Sequence, residues 1–127
     1  MKRLFSVVLA LLLAVQLPAR VKLPAVLGSN MVLQRNAEVN FWGEASPRSR
    51  VRVTASWDGR THETRADASG RWALKLPTGE AGGPYTVTLS DGEPLVLDNV
   101  LVGEVWVCSG QSNMEMPVSG FMFQPVE

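Results

Sequence analysis

The sequence predicts a mainly β protein: an antiparallel β-sandwich, immunoglobulin-like or jelly-roll in kind, followed by the start of an α/β domain. Three observations predict it. Apolar and polar residues alternate along several segments between residues 21 and 102, glycine-containing turn signals separate these segments, and no long stretch has a helical period. With 127 residues, 46% of them hydrophobic, the chain is long enough for one domain with a buried core.

Three segments have the alternation of a half-buried strand. Their apolar residues are Val51, Val53, Ala55 and Trp57 in the first, Trp72, Leu74 and Leu76 in the second, and Tyr85, Val87 and Leu89 in the third. Each set should face the core, because successive side chains of a strand point to opposite faces. Asp58-Gly59, Ser69-Gly70 and Asp91-Gly92 lie between apolar runs and predict tight hairpin turns.

The apolar pattern changes near the end of the chain. From Leu95 to Val107 the apolar residues are nearly continuous, as is typical of a strand buried on both faces. Residues 105–108 are therefore predicted to form the first strand of a second, α/β-type domain, with the boundary near Gly103. Cys108, the single cysteine, is predicted to be a small buried residue on this strand, with a reactive thiol as the alternative.

Residues 1–19 have the pattern of a secretory signal peptide. A short basic start precedes an apolar run from Leu4 to Val15, and small or turn-forming residues follow at a possible cleavage site. The run is shorter than the roughly 20 residues of a membrane-spanning helix, so a permanent anchor is the weaker alternative. We expect an exported protein, periplasmic or extracellular, with a β-sandwich domain at residues 20–102 and an incomplete second domain at residues 103–127.

Charge restricts the class of partner. Twelve basic and twelve acidic residues leave no net charge, which argues against a nucleic-acid partner and an anionic membrane surface. No stable membrane anchor and no metal site are predicted. The sequence does not indicate an oligomeric state.

The stretch SGQSN, residues 109–113, follows the predicted last strand. A nucleophilic serine works best where a buried strand ends in a sharp turn, and Gly110 allows such a bend. The backbone N–H of Ser112, with Gln111 or Asn113 nearby, could bind a developing oxyanion. Met114 stands where the usual G-x-S-x-G elbow has its second glycine. On pattern alone, Ser112 is either a nucleophile or a polar residue of an ordinary turn.

Four stretches together resemble the sialate O-acetylesterase family, carbohydrate esterases of the SGNH-hydrolase type. They are MVLQR (31–35), GRWALKLP (70–77), AGGPY (81–85) and VLVGEVWVCSGQSNMEMP (100–117). The resemblance implies a β-sandwich followed by a flavodoxin-like hydrolase domain, with Ser112 as the nucleophile and Gly110, Gln111 and Asn113 supporting the oxyanion. It also implies an O-acetylated carbohydrate, sialic acid or a related sugar, as substrate, and no metal or organic cofactor.

The chain departs from this family in one respect. The family's catalytic histidine and aspartate come from far downstream, so the base and acid of the triad are absent from this chain. His62, its only histidine, lies on a polar strand and is expected to be a solvated surface residue. Because a general base contributes about a hundredfold to ten-thousandfold, the 127-residue chain is expected to be a nearly inactive fragment.

A second hypothesis is an exported carbohydrate-binding or structural β-sandwich module without catalysis. Exposed indoles can stack on the apolar face of a pyranose ring. Trp57 and Trp72 lie in the apolar phase of their strands and are predicted to pack in the core. Trp42, beside Phe41 and Gly43, stays open to either role. A general surface interaction module is a third possibility with no positive support.

Three arginines share one strand phase and allow two interpretations. Arg48, Arg50 and Arg52 could form an anion site for a sialic acid carboxylate. The preferred interpretation is a solvated outer face balanced by Glu63 and Asp67, because paired surface charges of this kind are common and contribute little.

Overall fold

A computed structural model describes residues 20–115 and Pro117, so the predicted signal peptide lies outside the described residues. The described residues form seven strands: β1 (Val32–Gln34), β2 (Glu38–Glu44), β3 (Arg50–Ala55), β4 (Thr61–Arg65), β5 (Arg71–Pro77), β6 (Gly82–Ser90) and β7 (Pro94–Gly103). One short 3-10 helix follows at Ser112–Glu115. Within this part of the chain, no helix is long and apolar enough to cross a membrane.

The strands form two sheets. The larger has five strands in the order β1-β7-β6-β3-β4, and the smaller pairs β2 with β5. All pairs are antiparallel except β1 with β7, which run parallel. The larger sheet curls into a half-barrel. The prediction of a mainly β fold is confirmed; its finer assignment to an immunoglobulin-like or jelly-roll sandwich stays a prediction.

One hydrophobic cluster takes side chains from both sheets. Its members on β2, β3, β5, β6 and β7 include Phe41, Val51, Val53, Ala55, Trp72, Leu76, Val87, Leu89, Leu97 and Val100, all buried. The predicted inward phases of β3, β5 and β6 are thereby confirmed. Burying one large apolar side chain contributes about 1.5–3 kcal/mol, so this cluster is the main stabilising feature of the fold.

The two predicted tryptophans belong to this core, but in different ways. Trp72 is buried within the cluster, whereas Trp57 is half-buried and packs against it from beyond the end of β3. The Trp57 indole donates a hydrogen bond of 3.1 Å to the Pro77 carbonyl and meets the Tyr85 ring edge-on, with centroids 5.7 Å apart. Such an edge-to-face pair is stabilising beyond the burial of its two rings. Because Trp57 also packs against the core cluster, it closes one end of the core.

The turns confirm two of the three predicted hairpins. Gly59, with φ of 68°, joins β3 to β4, and Gly92, with φ of 143°, joins β6 to β7. The hairpin predicted at Ser69-Gly70 is wrong. Gly70 does adopt a positive φ of 88°, but the turn leads from β4 into the other sheet, where β5 pairs with β2. A turn signal fixes local backbone geometry and leaves the pairing partner to packing.

The predicted strand at residues 105–108 is not formed. β7 ends at Gly103, and the residues after it have no regular secondary structure until the 3-10 helix. Trp106 and Val107 are 82% and 91% exposed, and Cys108 is an exposed free thiol rather than a buried strand residue. Among the described residues, no backbone–backbone hydrogen bond joins residues 105–108 to a strand, although the Val105 N–H donates to the Gln34 side chain. Without a ladder to join, the other backbone groups of this segment are left to water.

β7 also differs from the predicted strand with two buried faces. It pairs with β1 on one side and β6 on the other, yet only one of its faces is covered. Leu97, Val100 and Val102 are buried, whereas Val96 and Leu101 are more than 40% exposed. The continuous apolar run of the sequence thus reflects one core face and one bare apolar face.

Candidate functional site

Ser112 begins the 3-10 helix and is exposed. Gly110 and Gln111 precede it and are exposed as well, and the Met114 N–H donates a hydrogen bond of 3.0 Å to the Gln111 carbonyl. At the start of a short helix the first N–H groups have no intrahelical acceptor, so the backbone of this turn can donate to an anionic oxygen. Asn113 lies in the same helix, and its side chain is outside the described residues.

Gly110 packs closely against Met114 and has no positive φ. A Cβ atom at this position would lie 3.1 Å from Met114 Cγ. The methionine side chain therefore folds back over the glycine and closes the turn. Met114 stands where the usual elbow has its second glycine, and here its side chain packs within the turn.

His62 lies in β4, opposite Val53 of β3. It is half-buried, and its Nε2 atom is buried without a hydrogen-bond partner among the described residues. The expectation of a solvated surface histidine is therefore wrong in part, because the Nε2 end of the ring is buried. No hydrogen bond within the described part of the chain joins Ser112 to His62 or to a carboxylate, so these residues do not form a triad here.

A polar network that was not predicted from the sequence lies at the ends of β1 and β7. Because these strands are parallel neighbours, with Gln34 opposite Gly103, the residues after them meet at one sheet edge. Arg35 Nε donates to Glu104 Oε1 over 2.6 Å, and Gln34 Nε2 donates to Glu104 Oε2 over 3.0 Å. Gln34 Oε1 accepts from the Val105 N–H over 2.9 Å. These three side chains are called the Gln34–Arg35–Glu104 network.

The network keeps its charges. The hydrogen bonds from Gln34 and then Arg35 lower the pKa of the Glu104 carboxyl, since both bonds favour the ionised form. The bond to Glu104 and the nearby charges of Glu104 and Glu80 raise the pKa of Arg35. Arg35 Nη1 lies 3.3 Å from Glu80 Oε2, so one guanidinium joins two carboxylates. The sequence did contain a signal for the Arg35–Glu104 ion pair. Two of the stretches that resemble the family, MVLQR and the one that begins VLVGEVW, carry oppositely charged residues directly after their strands.

Known proteins similar to the chain agree on one family. The mouse protein named sialate O-acetylesterase is 31% identical over 127 residues, covering 91% of this chain and 24% of its own length. The human protein of the same name is 33% identical over 102 residues, covering 72% of this chain and 20% of its own length. The chain belongs to the sialate O-acetylesterase family. It corresponds to the family's N-terminal portion and spans less than a quarter of these relatives.

A solved structure agrees with this membership. The crystal structure of a carbohydrate acetylesterase from Xanthomonas citri matches with a TM-score of 0.71 and 40% sequence identity. The match covers 79% of this chain and 23% of that protein. No protein-family model matches the chain. The resemblance to the sialate O-acetylesterase family seen in the four sequence stretches is thereby confirmed.

In this family member, two clefts lie away from Ser112 and are lined by described residues of the two sheets and their loops. The larger, of about 890 Å³, lies where the ends of β2 and β4 approach the start of β5. Its lining includes Trp42, Arg65, Asp67 and Arg71. The smaller, of about 420 Å³, lies beside Trp57 and the β5–β6 loop. No group of three or more potential metal ligands occurs within the described residues.

The arginine face matches the preferred interpretation in most respects. Arg50 and Arg52 of β3 both pair with Glu63 of β4, with nitrogen–oxygen distances of 3.6 and 2.9 Å. All three side chains are about half exposed, so the pairs are solvated. The expected contribution of Asp67 is wrong: its carboxylate lies 3.7 Å from Arg71 instead.

Proposed function

We propose that the chain carries the nucleophile segment and first domain of a sialate O-acetylesterase-like serine hydrolase. Its substrate would be an O-acetylated carbohydrate, sialic acid or a related sugar. The names of the mouse and human relatives and of the Xanthomonas citri structure support an acetylesterase-like function. The observation that carries the proposal is the stretch VLVGEVWVCSGQSNMEMP, which presents an exposed Ser112 at the start of a short helix.

In the proposed reaction the Ser112 hydroxyl attacks the acetyl carbonyl carbon, and a general base takes its proton. The carbonyl oxygen becomes an oxyanion and accepts hydrogen bonds from the backbone of the turn, with Gly110, Gln111 and Asn113 in supporting positions. Collapse of this intermediate breaks the ester bond and releases the sugar hydroxyl with a proton. Water then attacks the acetyl-enzyme and releases acetate, and no metal or organic cofactor takes part.

The base and its acidic partner are proposed to come from outside this chain. Serine is a weak nucleophile without a positioned base, which typically contributes about a hundredfold to ten-thousandfold. His62 lies opposite Val53 in β4 and makes no hydrogen bond to Ser112 within the described part of the chain, which supports a base from elsewhere. The chain by itself is therefore expected to be nearly inactive.

We further propose the domain division and location that follow from the sequence. Residues 1–19 would be a signal peptide, residues 20–102 a β-sandwich domain, and residues 103–127 the start of an SGNH-type hydrolase domain. The two sheets that share one core support the sandwich, and the end of β7 at Gly103 supports the boundary. The exported protein would be periplasmic or extracellular.

A chimera tests the esterase proposal. Residues 20–117 of this chain would replace the matching region of the Xanthomonas citri carbohydrate acetylesterase, which supplies the remainder of the protein. We expect the chimera to hydrolyse an acetyl ester and to react with a fluorophosphonate probe. Ser112→Ala should reduce both by at least about a thousandfold, because the reaction loses its nucleophile.

Ser109→Ala is the matched control. Ser109 is exposed and lies three positions before Ser112, in the irregular segment that leads to the 3-10 helix, so its loss should leave both signals within about twofold. Circular dichroism melts would establish that each chimera is folded. A folded chimera whose labelling does not depend on Ser112 would refute the proposal.

A carbohydrate-binding module is the second candidate, and the larger cleft is the observation that favours it. Trp42 is 43% exposed and lines this cleft together with charged side chains that can donate to sugar hydroxyls. If this candidate is correct, the free chain binds sialylated oligosaccharides in calorimetry, and Trp42→Ala weakens binding at least about tenfold. Trp106→Ala, which removes an exposed indole outside the cleft, is the control. No binding by the free chain would eliminate this candidate.

A further inference from the structure

The segment that leads to Ser112 has few attachments to the sheets. Residues 104–110 have no regular secondary structure, and residues 105–110 are exposed. Among the described residues, no backbone–backbone hydrogen bond joins residues 105–110 to a strand. The direction in which this segment leaves β7 must therefore be set by side chains.

The Gln34–Arg35–Glu104 network is at the point of departure. The Arg35 N–H donates to the Gly103 carbonyl over 2.8 Å and continues the parallel ladder by one step. Each carboxylate oxygen of Glu104 accepts one hydrogen bond, and the Gln34 amide contacts both the Glu104 side chain and the Val105 backbone. Two consecutive residues of the segment are thus fixed, one by its side chain and one by its N–H.

We propose that Gln34, Arg35 and Glu104 are positioning residues that set the exit direction of the segment and so the placement of the Ser112 turn. The catalytic consequence of this positioning rests on the proposed function. None of the three residues needs to touch the substrate. They join the MVLQR stretch to the stretch with the nucleophile, although about seventy residues separate them along the chain.

The network should respond to acid at a defined place. Arg35 and Gln34 face Glu104, and Glu80 faces Arg35 from the β5–β6 loop. Because the pKa of Glu104 is lowered, the network persists below the ordinary glutamate pKa and loosens when Glu104 takes up a proton. Residues 105–111 should become less ordered as the pH is lowered through the folded-state pKa of Glu104, before the sheets unfold.

A partner swap tests the proposal on the 127-residue chain. Gln34→Glu places two carboxylates together and removes the donor to Glu104, so the network should open. Adding Glu104→Gln restores the pattern: the residue 104 amide donates to the new carboxylate, still accepts from Arg35, and residue 34 still accepts from the Val105 N–H. Glu80→Gln, which alters Arg35 but touches neither Glu104 nor Val105, is the control.

The readout is the ¹⁵N heteronuclear Overhauser effect of residues 105–111. We expect positive values in the wild type, values near those of a free chain end in Gln34→Glu, and recovery in the double variant. The melting temperature should barely change, which distinguishes positioning from general stability. Wild-type values already at the free-end level, or an unchanged segment in Gln34→Glu, would overturn the proposal. If Gln34→Glu does not fold, Gln34→Ala gives the same comparison.

The chimera separates this proposal from the esterase proposal. Gln34→Glu should slow fluorophosphonate labelling of Ser112 by between about tenfold and a hundredfold, since misplacing a reacting group by about 1 Å has effects of that size. The double variant should recover most of the rate. A chimera without Ser112-dependent labelling refutes the esterase and leaves the order measurement to decide on the network. Labelling that is insensitive to Gln34→Glu refutes the positioning role alone.

Discussion

Gly43 of β2 lies so close to the backbone of another segment that no side chain fits at this position. A Cβ at this position would overlap the carbonyl oxygen of Lys22 and lie 3.3 Å from the Trp72 ring. Lys22 and Glu44 exchange two backbone hydrogen bonds of 2.8 and 2.9 Å at this crossing. The N-terminal segment can pair with β2 only because residue 43 is glycine.

Gly43→Ala is expected to destabilise the chain by about 1–3 kcal/mol, because overpacking forces the backbone apart. The measurement is the urea midpoint, with the Lys22 and Glu44 amides followed by hydrogen exchange. Gly79→Ala is the control, since a Cβ there meets no atom within 4 Å and its effect should stay within about 0.5 kcal/mol. Equal effects of the two substitutions would contradict the proposed overlap.

The β4–β5 turn is the element that carries the chain from one sheet to the other, and Asp67 organises it. Asp67 Oδ1 accepts hydrogen bonds from the Ser69 N–H, the Ser69 hydroxyl and the Arg71 N–H, at 2.8, 2.7 and 2.9 Å. The Ser69 hydroxyl and then the Arg71 N–H lower the pKa of Asp67, because they favour its ionised form.

A lowered folded-state pKa gives Asp67 a stabilising contribution that is complete above its unfolded pKa. This contribution disappears as the pH falls through the folded value. Asp67→Asn should therefore lower the urea midpoint at neutral pH, and the difference from the wild type should vanish in acid. Asp58→Asn, in a turn where the carboxylate accepts one hydrogen bond from Arg60, should have the smaller effect at neutral pH. A difference that is constant with pH would be inconsistent with this account.

The same turn shows which elements could be predicted from sequence. The inward phases of β3, β5 and β6 follow from alternation, which is a property of each strand by itself. The hairpins at Gly59 and Gly92 join strands that are neighbours in both sequence and space. The partner of β5 is β2, which is distant in sequence, and no local signal distinguishes a hairpin from a turn between sheets. The parallel pairing of β1 with β7 is non-local for the same reason.

On the scale of the whole molecule, only the local part of the candidate site could be predicted from the sequence. The nucleophile motif is local, so Ser112 and its neighbours could be named from sequence, and their catalytic role stays a prediction. The Gln34–Arg35–Glu104 network needs two strand ends side by side, which only the fold provides. The apolar run at residues 105–108 predicted a buried strand, but apolar character does not create a neighbouring strand to pair with.

Exposed apolar side chains occur both on the larger sheet and in the segment that follows β7. Val32 and Leu101 lie side by side across the β1–β7 pair and are 47% and 41% exposed. Trp106 and Val107 follow the end of β7 and are more exposed still. Adjacent apolar groups of this kind are usually covered by association, because burying them removes apolar area from water.

We expect the 127-residue chain to self-associate at micromolar concentrations through these exposed apolar side chains. Trp106→Ser combined with Val107→Ser should shift sedimentation toward the monomer by at least about tenfold in dissociation constant, since it removes the largest exposed apolar groups. Val26→Ser, which changes an exposed apolar residue in the N-terminal segment, should leave the association unchanged. A monodisperse wild-type monomer with a sharp, cooperative melt would contradict this expectation, because the exposed apolar side chains would then be tolerated by the isolated chain.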